Sequence, residues 1–339
     1  VKCIKQDFIG IIESVGDYNS VWEELESFAR IVREEKQRSW CGGVAKFMEN
    51  WLGPDEGFVR FVRQTNSGVV LYYKGLDPGL LSKEVIASSY STIMISGTLT
   101  PTGMFKDMLG FPDNTMLLEY DTPFPKENRL SLIVPVTSTR YKTRGVGEYK
   151  RIAAVCSEII DAIPGNVAVY FPSYKLRDDI SNYLAKLTSK QLLYEKPGMS
   201  KQEKQALLQE FIALRNEGGV LLGVVRGSFG EGIDLPGDFL KGVIVVGLPL
   251  GVPDIETQAL IEYFDKSYGK GQEYGYIYPA INLALQSAGR CIRSERDKGV
   301  VVFLDERYAY PRYKGCFPKE WHFIVTRNPC DLIKDFFLE

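Results

Sequence analysis

The chain has 339 residues, 45% of them hydrophobic and 25% charged, with a net charge of −2 and a pI near 5.8. This length allows about one to three domains, and the composition is typical of a globular protein. The small net charge excludes a bulk basic footprint for nucleic acid, so any such site must be local. No apolar run reaches the length of a membrane span, and no signal peptide is visible.

The cysteine pattern excludes the common cysteine-based sites. The cysteines are isolated, without a Cys-x-x-Cys pair, and His322 is the single histidine. We therefore expect neither a zinc site nor a disulfide framework, and we expect a reducing compartment. The chain does not begin with Met, which suggests a fragment or a processed piece.

Residues 1–120 form the smaller part, and its first stretch is predicted to be helical. Apolar residues at helical spacing predict a helix over 18–38, with Asn19 or Ser20 as its cap, and a second helix over 44–52. Two strands are predicted at 58–63 and 69–73, around the turn at 66–68. A buried strand is predicted at 91–96.

Strand and helix alternate over residues 121–339. Strands are predicted at 130–136, 167–171, 191–195, 220–225, 243–246 and 300–304, and helices at 148–163, 174–187, 201–215, 257–268 and 279–293. The strands are nearly continuous runs of Val, Ile and Leu. This alternation predicts an α/β domain with a parallel sheet covered by helices on both faces.

The helix predicted at 279–293 carries the strongest chemical signal. Ile281, Leu285, Ala288 and Ile292 form its apolar face, whereas Gln286, Arg290 and Arg293 follow one another at i, i+4 and i+7 on another stripe. Guanidinium groups suit phosphate oxygens, although a solvated face is the simpler alternative. Gly289 inside a helix favours a functional interpretation, because glycine there is costly and suggests a close approach.

A glycine-rich loop follows the strand predicted at 220–225. The segment 226–237 reads Arg-Gly-Ser-Phe-Gly-Glu-Gly-Ile-Asp-Leu-Pro-Gly, and its glycines let backbone N–H groups approach a phosphate. In parallel sheets, ligands bind at the carboxyl ends of strands, where this loop lies. A connecting loop rich in turn residues is the alternative.

Three further segments are weaker candidates. They are Ser-Gly-Thr-Leu-Thr-Pro at 96–101, the strand end Phe-Pro-Ser-Tyr at 171–174, and the basic and aromatic cluster Tyr-Lys-Thr-Arg at 141–144. Taken singly, each is consistent with a turn, a helix cap or a solvated loop. Interleaved cationic and aromatic side chains also suit single-stranded nucleic acid, because they pair with phosphates and stack on bases.

Asp305 and Glu306 follow an apolar strand, as the metal-binding carboxylates of a Walker B motif do in ATPases. Such a motif requires an upstream phosphate loop, and G-x-x-x-x-G-K-[ST] occurs nowhere in this sequence. We therefore interpret both residues as structural, with Arg307 or the helix at 279–293 as partner. An unrelated α/β enzyme that binds a metal at Asp305 and Glu306 remains an alternative.

Together these segments resemble motifs III, IV, V and VI of the XPD family of superfamily 2 DNA helicases. The motifs are Ser-Gly-Thr-Leu-Thr-Pro, Phe-Pro-Ser-Tyr, Gly-Glu-Gly-Ile-Asp and Gly-Arg-Cys-Ile-Arg, and the likeness covers residues 85–325. It implies a remainder of the family's arch at 1–55, the end of the first RecA-like motor domain at 56–120, and the second motor domain at 121–339. It also implies 5′-to-3′ translocation on single-stranded DNA, in nucleotide excision repair.

The resemblance also implies roles for individual residues. Gln286, Arg290 and Arg293 would be catalytic and would bind ATP, the arginines acting as arginine fingers. Gly232 and Asp234 would contact the nucleotide. A larger set would line the DNA groove: Thr98, Tyr141, Arg144, Ser173, Tyr174, Arg226 and Ser228.

The chain departs from the family pattern in its missing parts. The phosphate loop, the DEAH box and the cluster-binding cysteines belong to the family's N-terminal half. We therefore expect ATP and Mg²⁺ to serve the full-length protein, an iron–sulfur cluster to belong to the absent half, and no metal on this chain. The expected partners are single-stranded DNA, that absent half and repair-complex proteins, without a membrane, and the expected location is the cytoplasm or the nucleus.

Two functions follow as alternatives. In the first, the chain is the C-terminal motor half of an ATP-dependent DNA helicase and is inactive alone. In the second, it is a non-catalytic nucleic-acid or protein-binding module with a RecA-like fold.

Overall fold

A computed structural model describes residues 1–35, 38–66, 68–231, 239–292 and 294–338. The chain divides into two compact units, one made of residues 1–93, 106–115 and 253–275, and the other of residues 94–105, 116–252 and 276–339. Residues 253–275 thus group with the N-terminal unit, a division different from the predicted segments 1–55, 56–120 and 121–339. Those three domain assignments remain predictions.

The elements are numbered in chain order. The α-helices are α1 Lys5–Glu13, α2 Tyr18–Glu35, α3 Trp40–Trp51, α4 Gly79–Ser88, α5 Thr102–Leu109, α6 Val146–Ala162, α7 Tyr174–Leu184, α8 Lys201–Ala213, α9 Ser228–Glu231, α10 Ile255–Tyr268, α11 Tyr278–Ala288, α12 Pro311–Lys314 and α13 Pro329–Leu338. The strands are β1 Phe58–Thr65, β2 Gly68–Gly75, β3 Arg129–Ile133, β4 Val167–Phe171, β5 Gln191–Tyr194, β6 Gly219–Val224, β7 Gly242–Val246, β8 Gly299–Leu304 and β9 Ile324–Val325.

The first unit combines helices with an antiparallel hairpin, as its sequence predicts. β1 pairs with β2 from Phe58 opposite Gly75 to Thr65 opposite Gly68. Val59, Phe61 and Leu76 are buried against Ala259 of α10, which explains why residues 253–275 belong to this unit. Tyr263 of α10 adds a hydrogen bond of 2.7 Å from its hydroxyl to the Asp77 carboxylate.

The starts of α2 and α3 differ from the prediction. The cap of α2 is neither Asn19 nor Ser20, because the Asp17 carboxylate accepts the Ser20 backbone N–H at 2.9 Å. An acidic side chain one residue before the helix satisfies a free N–H of the first turn. Helix α3 begins at Trp40 rather than at 44, because the Ser39 hydroxyl accepts the Gly42 N–H at 3.2 Å.

The second unit is built on the predicted parallel sheet. Its strand order is β5-β6-β4-β7-β8-β3-β9, and every neighbouring pair is parallel. All the carboxyl ends of the strands therefore lie along one edge and all the amino ends along the other. We refer to these as the carboxyl edge and the amino edge.

Both faces of this sheet are covered, because alternate strand residues point to opposite sides. Ala168 and Tyr170 of β4 belong to one apolar core, together with residues of α8 and α11. Val167, Val169 and Phe171 of the same strand belong to the other core, together with residues of α6, α7 and α13. Each fully buried aliphatic or aromatic side chain contributes roughly 1.5–3 kcal/mol. The predicted fold class is confirmed.

The predicted buried strand at 91–96 is wrong. Residues 91–96 form no strand, and Ile93 and Ile95 are 81% and 87% exposed. The run is apolar enough for a core strand, but a strand needs a neighbour to satisfy its backbone hydrogen bonds. In the described part of the chain, no strand pairs with this segment.

Candidate nucleic-acid and nucleotide sites

The basic and aromatic cluster at 141–144 lies beyond the carboxyl end of β3. Tyr141 is 79% exposed and begins a short 3-10 turn that ends at Thr143. Arg144 is also exposed, and its Nε donates to the Thr139 carbonyl at 3.0 Å, which ties the cluster to the segment that leaves the sheet. An exposed ring and an exposed guanidinium group therefore stand together at the carboxyl edge.

Asp305, at the carboxyl end of β8, fixes the same segment from inside. Its fully buried carboxylate accepts the Thr139 N–H at 2.9 Å and pairs with Arg307 Nε at 2.7 Å. Glu306 pairs with Arg140 at 3.5 Å. The predicted pairing of Asp305 with Arg307 is confirmed. The Asp305 carboxylate, bound to Thr139 and Arg307, therefore holds the segment that leads to the cluster at 141–144.

The segment after β4 is partly a helix cap, as its simpler interpretation predicted. The Ser173 hydroxyl accepts the Leu176 N–H at 3.3 Å at the start of α7. Tyr174 is half-buried, and the buried Arg177 guanidinium lies 5.0 Å from the centre of its ring. Burial, followed by the negative charge of Glu195, raises the pKa of the Tyr174 hydroxyl. Ser173 remains exposed at the carboxyl edge.

The glycine-rich loop leaves β6 at the same edge. Arg226 and Ser228 are exposed, and Ser228 begins α9, whose Phe229 is buried in the core. A methyl group at Gly230 would overlap the backbone carbonyl of Val225, so glycine is needed there for the tight turn. Gly232 and Asp234, predicted to contact the nucleotide, lie outside the described residues.

The helix predicted at 279–293 ends before Arg290. Helix α11 ends at Ala288, and the Gly289 N–H donates to the Leu285 carbonyl at 2.8 Å. Arg290 therefore lies in the turn beyond the helix, and its predicted place on a helical stripe with Gln286 is wrong. Arg293 lies outside the described residues. The predicted apolar face is present, with Ile281, Leu285 and Ala288 buried.

Gly289 caps the end of α11, a place that suits a weak helix former, instead of making the predicted close approach. It is exposed, and a methyl group there would lie 3.3 Å from the nearest atom, the Leu285 carbonyl oxygen. The tightly packed residue is Cys291, two positions further on, whose thiol donates to the Val300 carbonyl at 3.6 Å. Cys291 therefore anchors the turn with Arg290 to the first residues of β8, at the amino edge.

The predicted site residues thus fall at opposite edges of the sheet. Those assigned to DNA within residues 121–339 lie along the carboxyl edge: Tyr141, Arg144, Ser173, Tyr174, Arg226 and Ser228. Arg290, assigned to the nucleotide, is at the amino edge and is partly exposed, as Gln286 is. An amide and a guanidinium group are the side-chain groups that suit phosphate oxygens.

Thr98 is the one predicted DNA residue outside these segments. It lies in a turn, half-buried, where its backbone N–H donates to the Ser96 hydroxyl at 3.3 Å. The two hydroxyl groups are themselves 3.3 Å apart.

Across the described ranges, no group of at least three His, Cys, Asp or Glu residues could hold a metal ion. Burial raises the pKa of Cys156 and of Cys291 to about 12, so both remain thiols and poor ligands. No helix in the described part of the chain is long and apolar enough to cross a membrane.

Reasoning from the sequence missed Glu195 and Tyr170, which support the glycine-rich loop from below. Glu195 is fully buried after β5, and the Tyr170 hydroxyl donates to the Phe229 carbonyl at 3.0 Å. An acidic residue that directly ends the apolar run Leu-Leu-Tyr was the available signal.

Comparison with known proteins agrees with this geometry. Residues 156–323 match the family model of the helicase C-terminal domain. A solved apo structure of XPD superposes with a TM-score of 0.64 at 23% identity, over 90% of this chain and 62% of that chain. A solved XPD helicase structure gives a TM-score of 0.63 at 23% identity, over 84% and 51%. The parallel sheet with its helices is therefore a RecA-like fold, as in these XPD structures.

Curated relatives extend the match beyond that domain. The chain is 27% identical to the XPD helicase subunit of the general transcription and DNA repair factor IIH of Schizosaccharomyces pombe, over 79% of this chain and 36% of the relative. It is 26% identical to the ATP-dependent DNA helicase CHL1 of Coccidioides immitis, over 82% and 37%. A probable ATP-dependent helicase of Methanocaldococcus jannaschii is 29% identical, over 78% and 42%.

Residues 156–323 thus match a helicase C-terminal domain, and the chain is similar to the C-terminal part of XPD-like helicases. The chain spans less than half the length of the curated relatives it matches.

Proposed function

We propose that the chain is the C-terminal motor part of an ATP-dependent 5′-to-3′ DNA helicase that acts in nucleotide excision repair. One observation carries the proposal: the predicted DNA residues of three separate connections lie along the carboxyl edge of one sheet. Gln286 and Arg290, which are predicted to bind the nucleotide, lie apart from them, so a nucleotide and a DNA strand could be bound at once. The names of the relatives support the helicase class.

The resemblance to these helicases assigns a nucleotide-binding role to one set of residues. Gln286, Arg290 and Arg293 would hold the terminal phosphates of ATP, and the arginines would stabilise the charge that develops as phosphate transfers. Gly232 and Asp234 would contact the same nucleotide, with Mg²⁺ and the phosphate loop supplied by a preceding segment. An iron–sulfur cluster would also belong to that segment. Such a protein would work in the nucleus or the cytoplasm, together with repair-complex proteins.

The DNA groove would contact the backbone of a single strand. Arg144, Arg226 and the hydroxyl groups of Ser173 and Ser228 suit phosphate oxygens, and the rings of Tyr141 and Tyr174 suit bases. Thr98 would join this groove from its own turn. Such contacts carry no sequence code.

We expect the chain to bind a labelled oligothymidylate weakly at low salt, and the affinity to fall as salt rises. Each phosphate contact releases counterions and contributes about −0.7 to the slope of log affinity against log salt for a single strand. Fluorescence anisotropy over a salt series measures this slope. Binding that ignores salt, or prefers one duplex sequence, would contradict the groove.

We also expect the isolated chain to hydrolyse ATP negligibly, with or without single-stranded DNA. The lysine and the hydroxyl group of a phosphate loop hold phosphates and Mg²⁺, and the sequence contains no such loop. Phosphate release from the purified chain, with a heat-treated sample as the blank, measures the rate. Robust DNA-stimulated turnover would rule out the division of labour proposed above, whereas DNA binding without turnover also fits a non-catalytic binding module.

A further inference from the structure

Glu195 is a fully buried carboxylate beneath the exposed loops of the carboxyl edge. It follows β5 directly, and its backbone N–H donates to the Leu222 carbonyl at 3.1 Å, so the chain is still held to β6 at this point. Burying a carboxylate is costly unless hydrogen bonds compensate it. The partners of this carboxylate therefore show what the charged side chain does.

The carboxylate holds the backbone on both sides of the exposed Arg226–Ser228 segment. Oε2 accepts the Val224 N–H at 3.0 Å, and Oε1 accepts the Phe229 N–H at 3.3 Å. The Phe229 carbonyl is fixed as well, since it accepts the Tyr170 hydroxyl at 3.0 Å. The segment between these residues therefore has both of its ends tied to one side chain.

Gly227 shows how closely this segment lies on the carboxylate. A methyl group at Gly227 would overlap both oxygens of Glu195. The side chains of Arg226 and Ser228 flank this contact and are exposed. Their direction is thus set by a backbone that rests directly on Glu195.

The same residue also contacts the neighbouring segment at the start of α7. The buried Arg177 guanidinium donates to the Glu195 carbonyl, and it lies 5.0 Å from the ring of Tyr174. Arg177 is held on its other side by Asp178, at 2.6 Å. Through its carbonyl and its carboxylate, Glu195 therefore joins the Tyr174 segment to the Arg226–Ser228 segment.

We propose that Glu195 is a positioning residue for single-stranded DNA, which fixes Tyr174 relative to Arg226 and Ser228. A residue needed only for packing would be served by an apolar side chain at this buried place. A carboxylate that accepts two backbone N–H groups instead fixes both ends of the Arg226–Ser228 segment. The carbonyl of the same residue accepts Arg177, which lies against the ring of Tyr174. The inference rests on the proposed function, because it assumes that these segments face a DNA strand.

The test compares Glu195→Gln with the unchanged chain in binding a fluorescein-labelled oligothymidylate at low salt. Glutamine keeps the size, but its amide N–H₂ faces one of the two backbone N–H groups, so that end of the segment is released. We expect an affinity about tenfold weaker and a shallower salt slope, because a stacking ring and a phosphate contact are misplaced. Tyr170→Phe removes one tie to Phe229 and should weaken binding less, in the same direction.

Asn166→Ala provides the control for a merely structural role. Asn166 is also fully buried in the same sheet, but at the amino edge, where its amide donates to Phe211 at 2.6 Å and accepts Gly219 N–H at 2.7 Å. This variant should lose thermal stability and keep both affinity and slope. Equal weakening in Asn166→Ala, or wild-type binding by Glu195→Gln and Tyr170→Phe, would overturn the inference. Absence of binding by the unchanged chain would instead overturn the proposed function.

Discussion

Alanine in place of Arg290 or Arg293 should lower DNA-stimulated ATP hydrolysis about a thousandfold in a protein that also carries a phosphate loop. Each guanidinium group would act as charge develops on the transferred phosphate, so the loss should appear in kcat more than in KM. Lysine should restore little of the rate, because a point charge does not reproduce the planar fork. Steady-state kinetics of both alanine and both lysine variants measure the effect.

Arg296→Ala is the matched control for these variants. Arg296 lies in the same connection before β8, is exposed, and belongs to no motif. Its loss should leave the ATPase rate near that of the unchanged protein. DNA affinity without nucleotide should persist in all of the variants, since Arg290 lies at the edge opposite the DNA residues. Near-normal hydrolysis by Arg290→Ala and Arg293→Ala, with a fall in thermal stability, would make these residues structural.

The fold could be predicted because local patterns and tertiary packing agree over most of the chain. The strand at Val167–Phe171 is apolar throughout, and both of its neighbours are too, which is typical of a parallel sheet covered on both faces. The spacing of Ser200 and Glu203 is that of a capping box, and the structure contains both of its hydrogen bonds at the start of α8.

The prediction was wrong where one pattern fits two structures. Residues 91–96 have the composition of a core strand, but hydrogen-bonding partners decide whether a strand forms, and a local pattern does not show them. At Gly289 the apolar face continues to Ile292, so periodicity favours a longer helix. The packing of Cys291 against β8 instead turns the chain there. Cys291 and Val300 lie nine residues apart in different elements, so helical periodicity does not indicate their contact.

The polar support of the site was the least predictable part. Exposed candidates such as Tyr141 and Arg226 belong to short motifs, which the sequence displays. Glu195 acts through Val224 and Phe229, which lie far from it along the chain, so only the folded sheet brings the three together.

Asp305 provides the second test of large expected effect, because the metal interpretation and the structural one predict opposite results. Its carboxylate accepts the Thr139 N–H and the Thr139 hydroxyl at 2.9 and 3.2 Å, besides the Arg307 guanidinium. Burial would lower the pKa of Arg307, but the hydrogen bonds and charge of Asp305 outweigh burial and raise it. Arg307 is thus held charged inside the protein.

We expect Asp305→Asn to lower the free energy of unfolding by about 3–5 kcal/mol, the cost of leaving a buried guanidinium group without its counter-charge. Asparagine also turns an amide N–H₂ toward groups that are themselves donors. Glu306→Gln is the matched control, since its partner Arg140 is 3.5 Å away and both side chains are partly exposed. That variant should stay within about 0.5 kcal/mol of the unchanged chain.

Equilibrium urea unfolding, with and without Mg²⁺, measures the free energy of unfolding of the unchanged chain, Asp305→Asn and Glu306→Gln. If the two carboxylates formed a metal site, Mg²⁺ would stabilise the unchanged chain, and both variants would lose that gain alike. If they are structural, Mg²⁺ changes nothing and only Asp305→Asn is destabilised. The loop from Thr139 to Arg144 should loosen in the same variant, because Asp305 accepts the Thr139 N–H. Its DNA affinity should therefore fall, whereas that of Glu306→Gln should not.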